Sequence, residues 1–108
     1  MNVNNDVIFA EFVHTENGVT CSDSGFTNIF TEEECARSVD YARSFNPKAY
    51  YAFEVNWRYK PKGCLILNDG NSGNSGLNSG SMYFNTHITG GAPVKDFANI
   101  CRRGNSQF

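Results

Sequence analysis

Four widely spaced cysteines limit what this chain can fold into more than any other feature of its sequence. Cys21, Cys35, Cys64 and Cys101 lie 14, 29 and 37 residues apart. No pair has the C-x2-C spacing that sets two sulfurs on one turn for zinc or dithiol redox chemistry. An even number of half-cystines spread across 108 residues reads instead as two disulfide staples. The chain is expected in an oxidising environment, and that expectation rests on the cysteines alone. Met1–Asp6 carries no basic residue and the apolar run Val7–Ala10 stops at Glu11, so no secretory leader pattern is legible. No Asn is followed two residues on by Ser or Thr, so N-glycosylation is not expected.

A chain this short supports one hydrophobic core, hence one domain over 1–108. Within it we read an N-terminal strand extension over 1–20, a stapled core over 21–102 and a tail over 103–108. Nine Lys and Arg against eleven Asp and Glu give a net charge of −2. Nucleic-acid binding, which needs a dense basic face, is therefore not expected. No apolar stretch approaches the roughly 20 residues of a membrane-crossing helix, which argues against an integral membrane protein. Nine Phe, five Tyr and one Trp are too many for a disordered chain.

The pattern predicts an α+β domain, a small antiparallel sheet packed by one helix. Val7–Val13 reads as a strand, with Gly18–Cys21 as its hairpin partner after Glu16-Asn17-Gly18. Phe26–Phe30 is a short extended stretch. Thr31 with Glu34 three residues on is a capping box. Cys35, Val39 and Ala42 then form a helical apolar stripe that runs to about Ser44, before Asn46-Pro47. Tyr50–Tyr59 alternates with period two, placing Tyr51, Phe53, Val55, Trp57 and Tyr59 on one face. Cys64–Leu67 is a buried strand, and Met82–Phe84 and Ala98–Cys101 are two more. Between them, Asn68–Ser81 and Thr89–Pro93 are loops rich in small polar residues. This order favours Cys35–Cys64, joining the helix stripe to the buried strand, nested inside Cys21–Cys101 near the ends of the core.

The successive segments Glu33-Glu34-Cys35-Ala36, Lys60-Pro61-Lys62-Gly63-Cys64, Met82-Tyr83-Phe84-Asn85-Thr86-His87 and Asn99-Ile100-Cys101-Arg102 resemble a small cysteine-paired module. That module recurs in secreted and surface proteins of algae and other protists. The similarity spans about Cys21 to Arg102. It implies a sheet with one helix, somewhat like PAN/apple modules, and implies no catalytic residues. The strand Val7–Val13 is an addition to that pattern.

Candidate chemistry is sparse. His14 and His87 are the two histidines, and bridged cysteines leave no thiol to pair with either. Ser81, His87 and Asp96 make a triad on paper only, without a nucleophile elbow. Glu32, Glu33 and Glu34 read as a solvated helix start. The tract from Asp69 fails the EF-hand pattern, because Asn74 and Gly80 stand where Gly and Glu are required. It also lacks the G-K-[ST] of a phosphate loop. No catalytic residue, metal or cofactor is assigned. Arg58, Lys60 and Lys62 share one side of an extended chain, with Arg102 and Arg103 expected nearby, as a charged sheet edge or a contact for an acidic partner. Tyr50, Trp57 and Tyr59, with Asn56 and Asn85, are residue types that hold sugars, although a small core also needs its aromatics. The expected function is a non-catalytic structural module, bound to other protein subunits of an extracellular, surface or virion assembly. A carbohydrate-binding module is the alternative, and a small hydrolase a third.

Overall fold

The computed structural model of the chain describes residues 11–68, 79–92 and 94–103. These form β1 (Phe12–His14), a 3-10 turn at Ser22–Ser24, β2 (Thr27–Asn28), α1 (Glu32–Arg37), α2 (Val39–Ala42), β3 (Tyr50–Val55), β4 (Gly63–Leu67), β5 (Ser81–Asn85) and β6 (Phe97–Arg102). The strands make one sheet in the order β1-β6-β4-β5-β3, with β2 also pairing β6. The α+β architecture with two disulfides is therefore present, with the predicted pairing Cys21–Cys101 and Cys35–Cys64. Residues 7–10 of the expected first strand, most of the loop from Asp69, Pro93 and the tail beyond 103 lie outside the described residues.

The sheet is mixed rather than wholly antiparallel. β3 runs parallel to β5, and Val55 pairs with Asn85. β4 runs antiparallel to β5 on its other side, with Gly63 also opposite Asn85. Residues 56–62 thus arch over the end of β5 instead of closing a β3–β4 hairpin. β1 likewise pairs with β6, not with the chain that follows it. Asn17-Gly18 does turn, with Gly18 at φ 81°, but the Gly18 N–H donates to Phe97 O of β6. The Gly18–Cys21 hairpin partner is therefore not formed. Its place is taken by the C-terminal strand, to which Cys21 is also tied.

The expected single helix divides at Ser38. Thr31 caps α1 with its side-chain oxygen, which accepts from Glu34 N at 3.1 Å. The Glu34 carboxylate is engaged by Arg102 at 2.9 Å. Ser38 is fully buried, and its hydroxyl donates to Cys35 O at 2.7 Å. Such a bond competes with the helical ladder, and Ser38 N is shared between Glu34 O and Cys35 O at this break. Both short helices still present the predicted stripe: Cys35, Val39 and Ala42 pack on the sheet with Ile66, Met82 and Ile100. Burying each of those larger side chains contributes roughly 1.5–3 kcal/mol. Leu65, Leu67, Tyr83 and Phe97 form a second core on the opposite face, with Trp57 packed against it. Strands buried on both sides explain why β4 and β5 read as continuous apolar runs.

Period-two alternation in Tyr50–Tyr59 holds only in part. The strand ends at Val55, and a bulge sets Tyr51 opposite Met82 but Phe53 opposite Tyr83. Met82 belongs to the helix-side core and Tyr83 to the other. One extra residue therefore moves Tyr51 and Phe53 to opposite faces. The Tyr51 hydroxyl donates to Glu32 at 2.8 Å. Burial and then this carboxylate raise its pKa well above the ordinary tyrosine value.

His14 stacks on Phe45 with centroids 3.6 Å apart, and its Nδ1 lies 2.7 Å from the Tyr41 hydroxyl. Burial lowers its pKa below the ordinary value of 6.5. The unfolded chain then takes up a proton at higher pH than the folded one. Stability from neutral His14 is complete above about pH 6.5 and is lost as pH falls toward the lowered folded value. The thermal midpoint is expected to drop between pH 7.5 and 5.5, and His14→Gln to flatten that drop. An unchanged pH profile in the variant would show that the imidazole is not responsible.

Candidate functional site

The arch over β5 is held by one side chain. Asn85 ends β5 and is 2% exposed. Its Oδ1 accepts from Trp57 N at 2.8 Å and His87 N at 3.3 Å. Its Nδ2 donates to Trp57 O, Lys60 O and Pro61 O at 2.9, 3.0 and 2.8 Å. The amide has no capacity left for a ligand, so Asn85 is a brace for the arch and not part of a sugar site. Leaving β5, the chain folds back against the same arch. His87 Nδ1 accepts from Gly90 N at 3.0 Å, and Gly91 N donates to Lys60 O at 2.8 Å. Gly90 has φ 67°, and a Cβ there would lie 2.5 Å from Lys62 N. Only glycine allows this approach.

The other residues named from sequence do not converge. Trp57 packs on Tyr83 and Phe97 with centroids 5.0 and 6.2 Å apart. Lys60 Nζ stands 5.2 Å over the Trp57 ring. Tyr50 opens β3 and its hydroxyl meets Ser81 Oγ at 3.0 Å. Tyr59 lies beyond the opposite end of β3, 75% exposed, under the Arg58 guanidinium at 5.3 Å. Tyr50, Trp57, Tyr59 and Asn85 therefore make no common platform. The chain is turning at Arg58, Lys60 and Lys62, so they do not share one side as they would in a strand. Arg58 covers Tyr59, Lys60 covers Trp57 and Lys62 lines a groove. Arg102 is committed to Glu34. Ser81 begins β5 and His87 lies past its end, so the paper triad is not assembled. All four cysteines are bridged and none is free. Among the described residues no His, Cys, Asp and Glu cluster is placed to hold a metal, and no helix is long and apolar enough to cross a membrane.

Among the described residues, two surfaces set exposed apolar side chains beside an open edge or groove. The first is the outer edge of β3, which among the described residues has a strand neighbour only on the β5 side and leaves Phe53 55% exposed. The second is a groove of ≈ 360 Å³ at the end of β4 and β5, walled by Phe30, Phe84 and Ile88 with Lys62 and His87. Phe30 and Ile88 were not singled out from the sequence. Ile88 stands alone in a polar segment and Phe30 follows Ile29 at the end of a short extended stretch, so neither belongs to a period. No family model matches the chain, and no curated protein or solved structure matches it.

Proposed function

We propose that the chain is a non-catalytic, disulfide-stapled interaction module that joins neighbouring protein subunits of an extracellular, surface or virion assembly by strand addition at β3. The open edge of β3 carries this reading. It offers backbone donors and acceptors to another strand, beside exposed Tyr50 and Phe53. Its sequence YYAFEV contains no Lys, Arg or Pro, and Glu54 is its one charged residue. Two intramolecular bridges are compatible with an oxidising environment. The likeness to cysteine-paired surface modules of protists supports the same setting.

A photo-crosslinker tests it. With p-benzoylphenylalanine in place of Phe53, the chain in its native assembly is expected to form a covalent adduct with a neighbouring protein. The same group in place of exposed Glu33 serves as the reference. Adducts no more frequent at 53 than at 33 would remove β3 as the joining edge.

A further inference from the structure

We infer that the groove at the end of β4 and β5 binds the C-terminus of a protein chain, with a free carboxylate and an apolar last residue. The groove is a separate surface from the β3 edge, so either assignment can fail alone. Its wall is apolar and open: Phe30 is 65% and Ile88 83% exposed, with Phe84 beside them. No Asp or Glu lines it, nor the smaller pocket of ≈ 190 Å³ formed by Thr20, Ser22 and Thr89. Asn28 and Lys62 line both cavities and so stand where the two meet. Lys62 has no anionic partner among the described residues, in a protein whose net charge is negative. The Asn28 amide likewise makes no hydrogen bond among them, whereas the amides of Asn46, Asn85 and Asn99 are all engaged. His87 lines the same groove, and its Nδ1 is already taken by Gly90 N at 3.0 Å.

These groups select among anionic ligands. An ammonium beside an apolar wall takes a carboxylate that carries an apolar group. Asn28 adds a donor and an acceptor, which match the C=O and N–H of a peptide unit. A fatty acid would use Lys62 and the wall but leave the Asn28 carbonyl without a donor. An acidic sugar would use Asn28 and Lys62 but leave Phe84 and Ile88 without an apolar partner. A chain terminus satisfies all of them: its carboxylate lies on Lys62, its last side chain on Phe30 and Ile88, and its preceding peptide unit on Asn28. The hydroxyl-lined pocket then receives residues further upstream.

Fluorescence anisotropy on the oxidised full chain tests this, using labelled Gly-Ser-Ala-Val-Leu with a free C-terminus, the same peptide amidated, and octanoate. The free peptide is expected to bind at least about tenfold more tightly than the amide, the size of one lost charged hydrogen bond. Lys62→Ala is expected to weaken the free peptide about tenfold and to leave the amide unchanged. Asn28→Asp, which places a second carboxylate beside the ligand's own, is expected to weaken the free peptide as much. Lys62 is exposed, so its variant folds and carries the test even if Asn28→Asp does not. Equal binding of acid and amide, or no binding of either, overturns the proposal. Octanoate bound in preference to the peptide overturns it too, by assigning the groove to lipid acids.

Discussion

Loss of the Cys35–Cys64 bridge is expected to lower the thermal midpoint by about 15 °C or more, since each kcal/mol moves a domain of this size by roughly 4–8 °C. The bridge closes 29 residues and joins α1 to β4 with Cα atoms 5.4 Å apart. Loop-closure entropy assigns it about 3.5 kcal/mol. α1 has six residues, too few to persist without tertiary support, and this sulfur pair fixes it to the sheet. The Cys21–Cys101 bridge closes 80 residues and is worth about 4.5 kcal/mol on the same basis. Total stability for such a domain is about 5–15 kcal/mol, so either loss takes a large share. Scanning fluorimetry of Cys35→Ala/Cys64→Ala and Cys21→Ala/Cys101→Ala, each beside the oxidised parent, measures both. The second pair is expected to fall further. Shifts of only a few degrees would mean that the cores hold the fold without the staples.

Replacing Asn85 by Ala is expected to cost about 3 kcal/mol, through buried backbone groups left without partners. Four contacts from one amide hold the arch, two to Trp57 and one each to Lys60 and Pro61, and a fifth holds His87 N. Without them Trp57 N and the carbonyls of Trp57 and Pro61 lose the partner this amide supplies, while Lys60 O keeps Gly91 N. Trp57 is the one tryptophan and lies on the arch itself, so its emission reports the change. A red shift at temperatures where far-ultraviolet circular dichroism is still native is the expected result, with urea unfolding giving the free energy. Asn85→Asp is expected to be no milder. It keeps the size of the side chain but turns three donated bonds into repulsion between a carboxylate and carbonyl oxygens. Wild-type stability in either variant would show that the arch is held by its own turn.

Local chemistry made much of this protein legible in its sequence. Thr31 and Glu34 marked the helix start because capping is a short-range bond. Cys35, Val39 and Ala42 marked its buried face because a helix repeats every 3.6 residues. Cys64–Leu67 and Met82–Phe84 were recognisable as strands because both of their faces are apolar, and the observed strands extend them to Gly63–Leu67 and Ser81–Asn85. The disulfide pairing followed from the order of those elements. What the chain does with its ends and edges was decided only in three dimensions. Nothing near Val55 or Gly63 says that β5 will insert between β3 and β4, since strand order depends on contacts between residues far apart in sequence. From that insertion come the arch, the role of Asn85 inside it rather than on a ligand, and the dispersal of Arg58, Lys60 and Lys62. The bulge in β3 is equally silent, because one added residue changes no composition yet moves Phe53 to the other face. Asn28, Phe30, Lys62 and Ile88 come together for the same reason: their groove exists only where three separate segments meet at one end of the sheet.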